Sequence, residues 1–97
     1  MPPPRLDPAA VDAALATLEG WRRDGDVITK TFELNSFQWA LQFVQSVGVV
    51  AEELQHHPDI DLRYRKVTLR VNTHDAGGLT ELDLTLARKV EALFDGI

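Results

Sequence analysis

Apolar positions recur at two spacings along the chain, and each change of spacing marks a new element. In LDPAAVDAALATLEG, Val11, Ala14, Leu15 and Leu18 fall on one helical stripe. Asp7 fits the N-cap, Pro8 the first helical position and Gly20 a left-handed stop, so both ends of this helix are marked. The period falls to two in WRRDGDVITKTFEL, where Asp24-Gly25 supplies the positive φ of a tight turn and predicts a hairpin. Ile28, Lys30 and Phe32 share one face of its second strand, with the lysine stem along that face and its ammonium reaching water.

Helical spacing returns from Asn35 to the neighbourhood of Gln55. Asn35 with Gln38 forms a capping-box pattern, and Leu34 is placed to staple Trp39. Ala40, Val44, Val47, Ala51 and Leu54 run down one side, while Trp39, Phe43 and Val50 widen the apolar surface beyond one stripe. These three are expected in the core, with a subunit interface as the alternative. Pro58 disfavours a helical His57, which ends the helix at the histidines. DIDLRY and VTLRVN then alternate strictly, with Ile60, Leu62 and Tyr64 facing one way, followed by Val67, Leu69 and Val71. Their joint, Arg65-Lys66, lacks the usual turn residues. A last helix starts at Thr80 and carries Leu82, Leu86, Val90 and Leu93 on one face. Helix, hairpin, helix, hairpin, helix packs most economically as an α+β domain, a four-stranded antiparallel sheet with three helices on one face.

Composition narrows the function. The 97 residues suffice for a single domain over 1–97, with the proline-rich tip 1–5 expected to be disordered. Formal net charge is −5 and no basic cluster exceeds RR or RYRK, which argues against direct nucleic-acid binding. There is no cysteine, so disulfides, thiolate metal sites and cysteine nucleophiles are excluded. No apolar stretch approaches a membrane span, and MPPPRLDPAA lacks the build of a signal peptide, so a soluble cytoplasmic protein is expected.

The candidate chemistry sits in three histidines, all at element boundaries. His56 and His57 close the central helix, and His74 comes after the last strand in NTHDAGGLTELD. If the second pair of strands forms a hairpin, its outer ends lie at one edge, and the imidazoles converge there. The helix macrodipole favours a histidine at a C-terminus but explains only one of the adjacent pair. Glu52 lies four residues before His56, at the spacing of a surface ion pair. Thr80 to Asp83 is itself a capping-box pattern, which gives that carboxylate a structural use. A zinc site is the sharper rival, yet adjacent histidines diverge by about a hundred degrees on a helix, whereas helical ligand pairs sit four apart. No serine occupies a nucleophile elbow.

The run AEELQHHPDIDLRYRKVTLRVNTHDAGGLTELDLTLA, with the tryptophan-containing hairpin and FQWALQFVQSV ahead of it, resembles the pterin-4a-carbinolamine dehydratase family over nearly the whole chain. HHP, the spaced tyrosine and valine, and the TH, GGLT and aspartate positions carry the resemblance. It implies dehydration of 4a-hydroxytetrahydropterins to quinonoid dihydropterins, recycling of the pterin, no metal or organic cofactor, and a homodimer or homotetramer. Position by position it marks Glu52, His56, His57, Thr73, His74 and Asp83 as site candidates. Gln55, Ile60 and Asn72 depart from the family's usual carboxylate, tryptophan and serine, and the loss of an aromatic wall at Ile60 bears on stacking against the pterin. The reaction suits imidazoles, because a proton must reach the departing hydroxyl and another must leave N5, and imidazole titrates near neutrality. His57 and His74 are expected to transfer protons, His56 to donate or anchor, and Glu52 or Asp83 to orient the rings. The alternative is a non-catalytic dimerisation or assembly module on the same fold.

Overall fold

A computed structural model describes residues 2–97. Its elements are α1 (Pro8–Leu15), β1 (Arg22–Asp24), β2 (Val27–Glu33), α2 (Phe37–Leu54), β3 (Asp59–Arg63), β4 (Lys66–Val71), a 3-10 turn (His74–Ala76) and α3 (Glu81–Asp95). The strands form a four-stranded antiparallel sheet in the order β1-β2-β4-β3, the expected α+β arrangement. Register places Ile28 opposite Val71, Lys30 opposite Leu69 and Phe32 opposite Val67, while Ile60 and Leu62 of β3 face Leu69 and Val67. Alternation therefore gathers the apolar side chains on one face. Val11 of α1, Ala40, Phe43 and Val47 of α2, and Leu84, Leu86, Ala87 and Val90 of α3 close the core over it. The Phe32 ring lies 5.0 Å from the rings of both Phe43 and Phe94, in tilted contacts that suit aromatic quadrupoles. The opposite face is polar, with Thr31 and Thr68 hydroxyls 2.8 Å apart.

Several local expectations are corrected. Alternation puts Lys30 on the inner face, so its ammonium does not simply run out to water. Nζ lies 2.5 Å from Glu91 Oε1 and 2.9 Å from the Glu19 carbonyl oxygen, and 4.6 Å from the Phe32 ring centroid. Glu91 Oε1 also accepts from Trp21 Nε1 at 2.8 Å, so one carboxylate ties α3 to the hairpin and to the end of the α1 connection. Helix α1 stops at Leu15 and continues in tighter turns, Thr17 N–H to the Ala14 carbonyl and Leu18 N–H to that of Leu15, before Gly20 turns left-handed at φ +84°. The first hairpin turns on Gly25-Asp26, because Asp24 still pairs with Val27, and Gly25 alone carries positive φ.

Helix α2 begins one residue later than the Asn35–Gln38 pattern suggests. Ser36 is its cap, with Oγ accepting the Trp39 N–H at 3.1 Å. Phe43 is core and Val50 half-buried, but Trp39 is 45% exposed and does not belong to the core. The β3–β4 turn is Tyr64-Arg65, since Arg63 pairs with Lys66. The Leu34 N–H donates to the Arg65 carbonyl at 2.9 Å and holds that residue in the turn. Tyr64 consequently leaves the strand face, with φ +53° and 72% exposure.

Candidate active site

The end of α2 and the hairpin after it set the site. The helix ends at Leu54 in a Schellman arrangement: Gln55 turns left-handed at φ +50°, the His56 N–H donates to the Ala51 carbonyl at 3.0 Å, and the Gln55 N–H donates to that of Glu52 at 3.2 Å. Thus Gln55, not Pro58, stops the helix. Its side-chain Nε2 donates to the Glu52 carbonyl at 2.7 Å, a bond that an ionised carboxylate at this position could not make. The left-handed residue also shifts the phase of His56 and His57 relative to the helix. Glu52 therefore pairs with Nε2 of His57, five residues on, and His56 is released from the partner that helical spacing assigned to it.

His56 turns inward instead. Its Nε2 lies 2.6 Å from Oδ1 of Asp83, which is fully buried on the first turn of α3. Oδ2 of the same carboxylate accepts from the Thr73 hydroxyl and the Thr80 backbone N–H, each at 2.9 Å. Thr73 has given its only proton to Asp83, so the Thr80 hydroxyl, 2.7 Å away, donates to it. Thr80 Oγ1 also accepts the Leu82 N–H at 3.2 Å. The capping box is present, yet its carboxylate holds three donors rather than one. Among the described residues no buried side-chain polar atom is left without a partner. Because a carboxylate only accepts, it fixes the proton of a neutral His56 on Nε2 and leaves Nδ1 as the acceptor nitrogen. Glu52 does the same for His57 on the surface.

Topology completes the cluster. Asp59, just after the histidine pair, sits opposite Arg70, near the end of β4, so the segments entering β3 and leaving β4 run side by side. Thr73 then pairs with Gly78 across an isolated bridge that closes the short loop carrying His74. An open cleft of about 300 Å³ results, lined by Gln55, His56, His57, Asn72, Thr73, His74 and Asp75. It brings together all three histidines and Thr73. Asp83 stands behind it through His56, and Glu52 beside it through His57.

Of the three departures from the family pattern, Gln55 and Asn72 line the cleft. Ile60 is not among its lining residues; it lies on β3 opposite Leu69 and is 39% exposed. Sequence reasoning misses Asp75, whose only signal is adjacency to His74. It also misses the Thr80 hydroxyl as a member of the network, because its capping use accounts for it. His74 is exposed and, among the described residues, its ring has no hydrogen-bond partner. No group of three or more histidine, cysteine or carboxylate side chains among the described residues is arranged to hold a metal ion.

Comparison with known proteins identifies the family. The family model described as pterin 4 alpha carbinolamine dehydratase matches residues 4–93. A protein of Roseiflexus sp. strain RS-1, named "Putative pterin-4-alpha-carbinolamine dehydratase", is 51% identical over 92% of this chain and 96% of its own. A crystal structure from Brucella melitensis, titled transcriptional coactivator/pterin dehydratase, superposes with a TM-score of 0.87 at 36% identity, covering 91% of this chain and 96% of that one. A pterin dehydratase-like protein described as a RuBisCO assembly factor of the alpha-carboxysome shares the fold, with a TM-score of 0.68 at 23% identity over 78% of this chain and 90% of that one. The extent of the match and the shared fold place this chain in the pterin-4a-carbinolamine dehydratase family.

Proposed function

We propose that this protein eliminates water from 4a-hydroxytetrahydropterins by histidine acid–base catalysis and so returns the pterin to its cofactor cycle. In this reaction the C4a–O bond breaks as a proton reaches the departing hydroxyl. The N5 proton is removed and its electron pair forms the C4a=N5 double bond of the quinonoid dihydropterin. The observation that carries the reading is the convergence of His56, His57 and His74 on one cleft, with the first two rings held by Asp83 and Glu52. His57 and His74, the two more exposed rings, exchange protons with the 4a-hydroxyl and N5. Positioned groups of this kind contribute about 10²- to 10⁴-fold each. His56, fixed by Asp83, offers Nδ1 as an anchor or second relay, and Thr73 keeps that carboxylate in place. The chemistry needs neither redox change nor Lewis acid, so no metal or organic cofactor is included.

The reading extends to self-association as a dimer or tetramer. Phe37, Trp39, Leu41 and Val49 on α2 are each more than 40% exposed, a density of large apolar groups on one helix that suits a partner subunit. A sedimentation mass near 10.8 kDa at micromolar concentration would rule this part out. The test of the activity is a stopped-flow measurement of 4a-hydroxytetrahydropterin loss with purified protein. Acceleration over the spontaneous reaction supports it, and an unchanged rate at micromolar protein overturns it.

A further inference from the structure

His74 differs from the other two histidines in a way that bears on how it is aimed. Asp83 holds His56 and Glu52 holds His57, but no described side chain holds the His74 ring. Its position is therefore set by the backbone of its loop. That loop is tight: the Thr73 N–H donates to the Gly78 carbonyl at 2.9 Å, and the Gly77 N–H donates to that of His74 at 2.9 Å. What braces the loop from outside comes from the other end of the chain. The Leu6 N–H donates to the carbonyl of buried Leu79 at 2.8 Å, and the Leu6 side chain packs against the core. Arg5, inside the tip expected to be disordered, instead lies over Gly78, where an added Cβ would come within 2.7 Å of Arg5 Nε. Its Nη2 reaches Asp26 of the first hairpin turn at 3.5 Å. That ion pair is exposed and weak in itself. Its value is geometric, because it keeps the guanidinium seated where Gly78 leaves room.

We propose that Arg5, anchored through Leu6, is a positioning residue for His74: the N-terminal segment straps the Thr73–Gly78 loop to the hairpin and sets where that imidazole stands in the cleft. The inference rests on the dehydratase reading for its catalytic consequence, but not for its structural one. Arg5→Ala removes the strap at the surface without touching the core, and Gly78→Ala fills the seat and expels the guanidinium. Both variants should shift the His74 ring resonances in NMR spectra and leave those of His56 and His57 in place. In the stopped-flow assay both should lower kcat by about tenfold with KM little changed, the size expected when a catalytic group is misplaced by a fraction of an ångström, since a full ångström can cost about a hundredfold.

The effect must run through His74. In a His74→Ala background Arg5→Ala should cost nothing further, whereas in a His57→Ala background it should keep its full factor. The same factor in both backgrounds, or His74 resonances that do not move, overturns the strap while leaving the dehydratase reading intact. A wild-type protein without activity would overturn that reading instead, and the ring resonances would still decide the strap.

Discussion

Replacing Asp83 by asparagine separates its two uses. The carboxylate accepts at 2.6 Å from His56 on one oxygen, and at 2.9 Å from both Thr73 and the Thr80 N–H on the other. An amide of the same shape can keep its oxygen toward Thr73 and Thr80 and so preserve the helix cap. Its NH₂ then faces His56 Nε2, which must become the acceptor, and the ring proton moves to Nδ1. The nitrogen left for the substrate changes from acceptor to donor, and a neutral amide no longer supports a forming imidazolium. We expect kcat/KM to fall at least about tenfold, roughly 1.4 kcal/mol of transition-state stabilisation. Stability moves as well, because the second amide proton is buried without an acceptor at a cost of about 1–3 kcal/mol. For a domain of this size each 1 kcal/mol lowers Tm by about 4–8 °C, so the assay belongs well below the Tm of the variant. Thr80→Ala gives the contrast, with about 0.5–2 kcal/mol of capping lost and a smaller effect on rate, since Asp83 and His56 keep their direct bond. Asp83→Asn that loses stability like Thr80→Ala while retaining full kcat/KM would show that the carboxylate only caps α3.

Tyr64→Asn should raise stability by up to about 1 kcal/mol, because Tyr64 is exposed and asparagine tolerates its left-handed φ of +53° far better; thermal denaturation decides, and a lower Tm refutes the strain. Glu91→Ala should cost roughly 2–4 kcal/mol by leaving the largely buried Lys30 ammonium and Trp21 Nε1 without their shared acceptor, and a change under about 0.5 kcal/mol in urea denaturation would show that water replaces it. Chelator should leave the dehydration rate unchanged, whereas loss on chelation with recovery on adding zinc would replace the metal-free mechanism with a metal-dependent one.

The sheet is legible in the sequence because alternation is a direct consequence of the pleat: Val67, Leu69 and Val71 are buried as their spacing requires. Turn positions are less legible. At Tyr64-Arg65 the chain accepts positive φ in a residue whose side chain gives no sign of it, so the expected joint falls one residue late. At the start of α2, Asn35 and Ser36 are both capping residues, and only the backbone chooses between them. The width of the apolar surface on α2 is clear from its residues, but not its partition: Phe43 reaches the core while Trp39 stands half-exposed.

The site divides in the same way. That three histidines meet can be read from element ends alone. Their partners cannot, since a left-handed Gln55 moves Glu52 from His56 to His57, and tertiary packing delivers Asp83 to His56 across the domain. Likewise the capping pattern at Thr80–Asp83 is visible, but a local pattern says nothing of a third donor arriving from Thr73.

The most direct test of the central claim measures 4a-hydroxytetrahydropterin loss side by side for the wild-type protein, His57→Ala and His74→Ala, against the spontaneous rate. If these imidazoles move the protons, the wild type accelerates the loss and each substitution removes about 10²- to 10⁴-fold of that acceleration with the fold intact. A wild-type rate equal to the spontaneous one, or folded variants as fast as the wild type, would contradict it.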